Sequence, residues 1–307
     1  MKMNIRAFWA LGALLALTAF AARPAHAAIR VIAATDNLAW VTQQIGGNLV
    51  STDYLARGDQ DPHMIEPRPS QVVKLARADM LVRIGMDLDL WLDALLDAAR
   101  NPKIARGARG YVDPHVGLHP VEIPSGKLDP SMGDIHIYGN PHYEFSPEVV
   151  RTIVARNILT GLERVDPAHD TTYRANYNAF SNRLQQDERR WKAKLAPFRG
   201  REVVTYHKTY PYLLEYFGLR EFANVEPKPG IAPSASHVAE VAQQMKRSGV
   251  KVIIAESYRP RRFSDLLARE SGGKVVQIPG GVGGERGIDS YYALMETIVD
   301  RIAAAFG

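Results

Sequence analysis

The sequence predicts an α/β protein of two doubly wound lobes joined by one long interdomain helix. Three observations carry that expectation. Short apolar, β-branched runs alternate with helical periodicity between residues 29 and 99. The same alternation resumes after Gly200. Between the two lies a polar helical stretch too long to belong comfortably to either. Alternation of this kind builds parallel sheets covered by helices.

Ile29 to Ala34 is a buried-strand run, and Asn37 to Ile45 is helical until Gly46-Gly47-Asn48 stops it. Leu49 to Leu55 is a second strand, and Gly58 to Pro69, rich in Gly, Asp and Pro, is a loop. Ser70 caps a helix through Ala78, Met80 to Ile84 is a third strand, and Leu88 to Ala99 is helix. Gly107 to Pro147 breaks the pattern, with many Gly and Pro, four histidines and no periodicity. A loop of that length in a compact domain usually serves function. Helix returns from Pro147 to Arg164. It returns again from His169 to about Ala196, with Asp166 as cap and Pro167 in the first turn.

In the second half, strands fall at Glu202 to Thr205, Glu221 to Val225, Val250 to Ala255 and Lys274 to Ile278. Helices fall at Tyr210 to Phe217, Ser234 or Ser236 to Ser248, Phe263 to Glu270 and Ser290 to Ala305. The expected division is 28–165 for the first lobe, with a flexible loop at about 113–138, then 166–198 for the helix and 199–307 for the second lobe. No internal repeat is strong enough to count.

Residues 1–27 read as a signal peptide. Lys2 and Arg6 precede an apolar run from Phe8 to Ala22, and Ala25-His26-Ala27 offers a small-x-small cleavage site after Ala27. The run is shorter than the roughly 20 residues that span a bilayer. The expected location is therefore the periplasm. With no cysteine in the chain, disulfides, thiolate zinc sites and a lipidated cysteine are all excluded. The net charge of +5 is scattered, without a basic tract or interleaved aromatics, so nucleic acid is not an expected partner. The Gly280–Gly284 run lacks a phosphate-binding pattern and reads as a loop.

Three histidines sit where strand-to-helix connections belong: His63 in DPHMIEP, His142 in GNPHY and His207 in VVTYH. Ligands of open α/β sheets collect outside the carboxyl ends of the strands, so the three can converge on an interlobe cleft. Imidazole alone does not name the ion, since zinc, copper, iron and nickel all accept it.

The surrounding runs are more specific. DPHMIEPRPS, GNPHYEFSPE, VVTYHKTYPYLLEYFGL and GIDSYYALM resemble, in order, the four ligand elements of the periplasmic zinc- and manganese-binding proteins of ABC importers, the cluster A-I family. The match runs over essentially the whole mature chain. It implies His63, His142, His207 and Asp289 as metal ligands; Glu256, in Ala255-Glu256-Ser257 after a strand, is the competing fourth carboxylate. Three imidazoles and one carboxylate suit tetrahedral Zn(II). Manganese carriers of the family commonly have Glu where this chain has His207, which favours one tightly bound Zn(II). The departures from the pattern, Ile65, Gln71 and Glu144-Phe145-Ser146, leave the ligands untouched.

Zinc-specific members often carry a His-rich loop between the first two ligands. Here that loop holds His115, His119 and His136 beside Asp113, Glu122, Asp129 and Asp134. The resemblance implies a weaker accessory site, His119 and His136 being the better candidates; the alternative is a solvated loop. The implied partners are the membrane permease of an ABC importer and a periplasmic metallochaperone, and the implied state is a monomer. A manganese carrier of the same family is one alternative function. An exported zinc hydrolase is another, but no H-E-x-x-H pair is present.

Overall fold

The computed structural model describes residues 28–125, 129 and 133–307. The signal peptide assigned to residues 1–27 and part of the histidine-bearing loop lie outside the described residues.

Two four-stranded sheets, both wholly parallel, make the two lobes. The first contains β1 (Ile29–Thr35), β2 (Val50–Ala56), β3 (Met80–Val82) and β4 (Tyr111–Val112), ordered β2-β1-β3-β4. The second contains β5 (Glu202–Thr205), β6 (Arg220–Asn224), β7 (Val252–Glu256) and β8 (Lys274–Ile278), ordered β6-β5-β7-β8. The same winding therefore occurs twice, although the sequence carries no detectable repeat. Strand β4 lies inside the stretch expected to be loop; two residues are too few to show a period.

Helices α1 (Asp36–Gly46), α2 (Pro69–Ala76) and α3 (Trp91–Ala99) belong to the first lobe. Helix α4 (Ala155–Val165) follows a helical turn Pro147–Val149 and a π-helical turn Val150–Val154. Helix α5 (Asp170–Leu195) is the long connector of 26 residues. The second lobe carries α6 (Pro211–Phe217), α7 (Ala235–Ser248) and α8 (Arg261–Ser271), and α9 (Tyr291–Phe306) closes the chain. Ser234 is the residue that caps α7, accepting from the His237 N–H at 3.2 Å.

Asp166 does not cap the long helix as expected. A 3₁₀ turn, Pro167–His169, intervenes, and the Asp166 carboxylate instead takes the Tyr173 hydroxyl at 2.7 Å and His169 Nδ1 at 2.6 Å.

Strand alternation sorts the core. Val31 and Ala33 of β1, and Val252 and Ile254 of β7, point into one cluster that also holds Phe180, Leu184, Trp191 and Leu195 of α5. Ile32 faces the opposite side with Leu75, Leu92 and Leu95, while Ile253 and Ala255 face Val241, Met245 and Leu267. The largest cluster is thus continuous through both lobes, with α5 as its spine. Glycine packs against glycine at a second seam. A Cβ on Gly58 would lie 2.7 Å from the carbonyl carbon of Gly281 and 2.6 Å from Asp36 Oδ2. Asn37 Oδ1 accepts from the Val282 N–H at 2.9 Å across the same seam.

Candidate metal centre

Each histidine is placed by its local sequence. His63 follows β2, where Asp61 folds back so that its Oδ1 accepts from the His63 backbone N–H at 3.1 Å and meets Nδ1 at 2.9 Å. The Pro62 carbonyl accepts from Trp91 Nε1 at 2.9 Å. Trp91 therefore anchors the ligand loop within the first lobe. His142 is fixed through Asn140, whose Oδ1 accepts from the His142 N–H at 3.0 Å and whose amide donates to the Lys208 carbonyl at 2.7 Å. His207 leaves the end of β5, and its Nδ1 lies 2.7 Å from Glu226 Oε2.

The structure brings His63, His142 and His207 together, one nitrogen of each lying within 4.8 Å of the others. His63 comes from the first lobe and His207 from the second; their ring centroids are 5.1 Å apart, and those of His142 and His207 5.5 Å. Because carboxylates accept at Nδ1 of His63 and His207, those nitrogens carry the protons and both Nε2 lone pairs remain available. The buried Nε2 of His142 has no hydrogen-bond partner among the described residues. Burial, and the neighbouring imidazoles of His63, His207 and His136, hold the His142 ring well below the ordinary histidine range. This is a nitrogen-rich, partly orphaned cluster, a donor set that fits a divalent cation of zinc type.

The other candidates fall differently. Asp289 is exposed and joins neither that group nor any other of its kind among the described residues. Its neighbour Ser290 caps the last helix, accepting from the Ala293 N–H at 3.1 Å. Glu256 is fully buried beneath the cluster, its carboxyl raised by burial although Arg259 and His207 pull it down. It too stays outside the three-histidine group. His119 is exposed. His136 reaches inward: its Nε2 is 3.2 Å from Nε2 of His63, and with Asp134 and His63 it makes a second ligand-capable group. Burial, then His63, lowers His136 to about 4, so its ring is neutral. His115 turns to the Ile84 carbonyl at 3.2 Å.

Sequence reasoning missed Asp61, Glu226 and Arg259. Asp61 could have been found, since an acid two residues before a histidine readily makes an Asx turn. Glu226 and Arg259 carry no local signal, because their partners are distant in the chain.

A wide groove of about 460 Å³ opens over the cluster, lined among others by His136, His142, His207, Lys208 and Pro229. Two parallel-sheet lobes with a histidine cluster between them are the architecture of metal-capturing solute-binding proteins. The chain belongs to the family described as the periplasmic component A of the zinc-uptake complex, ZnuA, whose pattern matches residues 31–305. It is similar to the iron-binding protein YfeA of Yersinia pestis, 26% identical over 277 residues, covering 87% of this chain and 83% of that one. It is likewise 26% identical over 239 residues to the zinc-binding lipoprotein AdcA of Streptococcus pneumoniae, covering 76% of this chain and 46% of AdcA. The solved structure of FpvC from Pseudomonas aeruginosa in complex with Mn2+ superposes with a TM-score of 0.77 at 26% identity, covering 91% of this chain and 98% of that one.

Proposed function

We propose that this member of the zinc-uptake family captures one Zn(II) between its lobes with His63, His142 and His207 and delivers it to the membrane permease of an ABC importer, without catalysis. The carrying observation is the convergence of the three imidazoles within 4.8 Å across the lobe seam. In this reading residues 28–165 and 199–307 are the lobes around the helix of 166–198, and the chain is exported with cleavage after Ala27. Among the described residues no helix is long and apolar enough to cross a membrane.

Asp289 completes the site. The support for this is its motif, GIDSYYALM, which resembles the family's aspartate-ligand element. His136 has a separate task. Its Nε2 lies 3.2 Å from Nε2 of His63, and with Asp134 it makes a shallower site that shares His63 with the deep one. An ion held there passes inward by exchanging ligands around His63.

The two assignments separate experimentally. Asp289→Ala should weaken zinc affinity at least about tenfold, by the measure of a lost ligand or its support. His136→Ala should leave equilibrium affinity within about twofold while slowing zinc uptake in stopped-flow mixing. The opposite pattern would make His136 the fourth ligand. Stoichiometric manganese in place of zinc in the purified protein would overturn the choice of ion.

A further inference from the structure

We propose that Arg259 is the positioning residue that locks the ligand histidines of the two lobes into one geometry, acting through Asp61 on one side and Glu226 on the other. The proposal rests on the reading of the histidine cluster as a metal site. Arg259 Nη1 lies 2.9 Å from Asp61 Oδ2 and 3.5 Å from Glu226 Oε1. The other oxygen of each carboxylate is the one that meets Nδ1 of His63, at 2.9 Å, or of His207, at 2.7 Å. One guanidinium thus stands behind two carboxylate–histidine pairs that belong to different lobes. Its Nε also faces Glu256 Oε2 at 3.7 Å.

The surroundings make the arrangement specific. Arg259 is itself held, its N–H donating to the Glu256 carbonyl at 3.0 Å and its guanidinium lying 5.7 Å from the Tyr206 ring centroid and 5.4 Å from that of Tyr258. The side chains of Arg259, Asp61 and Glu226 are only 14%, 17% and 6% exposed, so water screens these charges weakly. Remove the cation, and two poorly solvated carboxylates confront each other. Each then relaxes by turning away, and takes its histidine with it. Lysine cannot substitute fully, because its single ammonium cannot place one nitrogen between Asp61 and Glu226 while a second, as Nε does here, faces Glu256.

A simple structural ion pair would change stability alone; a positioning role changes the ligands. The first readout is therefore the tautomer of His63 and His207, from ¹⁵N histidine spectra of the mature protein without added metal. Wild type should show both rings as the Nδ1–H form, and Arg259→Gln should show mixed tautomers at both. Zinc affinity, from chelator competition, should fall about 10–100-fold in Arg259→Gln, mostly through faster dissociation, with Arg259→Lys recovering part of it. The loss should shrink to less than half when Asp61→Asn or Glu226→Gln is already present, since the arginine acts through both. Unchanged tautomers in a folded Arg259→Gln or Arg259→Lys protein overturn the proposal, as does an affinity loss equal in all three backgrounds. A wild-type protein that binds no zinc refutes the capture reading instead, and the tautomers still decide on Arg259.

Discussion

His142 shows how a single side chain can be costly to the fold and indispensable to the site. Its Nε2 is buried with no partner among the described residues, and an orphaned acceptor of that kind costs about 1–3 kcal/mol. A bound cation removes that cost. His142→Leu is accordingly expected to keep or raise the melting temperature of protein stripped with chelator, while abolishing the rise that zinc produces. A lowered melting temperature in stripped protein would show that the ring is held by more than its role as ligand. At this scale much was legible in advance. His63, His142 and His207 stood out by motif, whereas Asp61, Glu226 and Arg259 did not, because their meaning arises only when residues 61, 226 and 259 meet at 2.9–3.5 Å. Asp289 is the residue whose motif and position disagree most: the resemblance makes it a ligand, yet its side chain is exposed.

Among the elements, those with a clear period were foreseen, and those set by long-range contact were not. Strand β4 is two residues pinned by Leu81 and Val82 of β3, and no periodicity can announce it. The π turn at Val150–Val154 interrupts what reads as an ordinary helix. Loops, too, act as structural elements here. The stretch from Gly280 to Gly284 read as a plain loop, yet Gly280, Gly281 and Gly284 pack on Gly58 so closely that a Cβ on any of the four would collide. Gly58→Ala should therefore cost on the order of 1–3 kcal/mol by overpacking. Urea denaturation reads that loss directly, and a change below about 0.5 kcal/mol would mean that the seam opens without penalty.

For the molecule as a whole, the buried acids decide how stability varies with pH. Burial, opposed by the backbone N–H groups of Asn37 and Gly58, pushes Asp36 up to about 7 from an ordinary 3.8. Below pH 3.8 both folded and unfolded chains hold this proton. Above it the unfolded chain releases the proton while the folded one keeps it, so stability is lost progressively as pH rises to about 7. Asp36→Asn cannot titrate. Its melting temperature relative to wild type should climb between pH 4 and 7, and a constant difference would place the slope elsewhere.

The continuous core along α5 has a practical consequence for anyone who would use this protein as a zinc sensor. Phe180, Leu184, Trp191 and Leu195 share one packed cluster with strands from both sheets. Close-packed interiors transmit strain but yield little. Dyes attached to the two lobes would report almost the same separation whether or not the ion is held. The useful signal lies at the rim, where a single environment-sensitive dye at the exposed Met64 or Tyr138 would sit close in the chain to His63 or His136, which meet the ion.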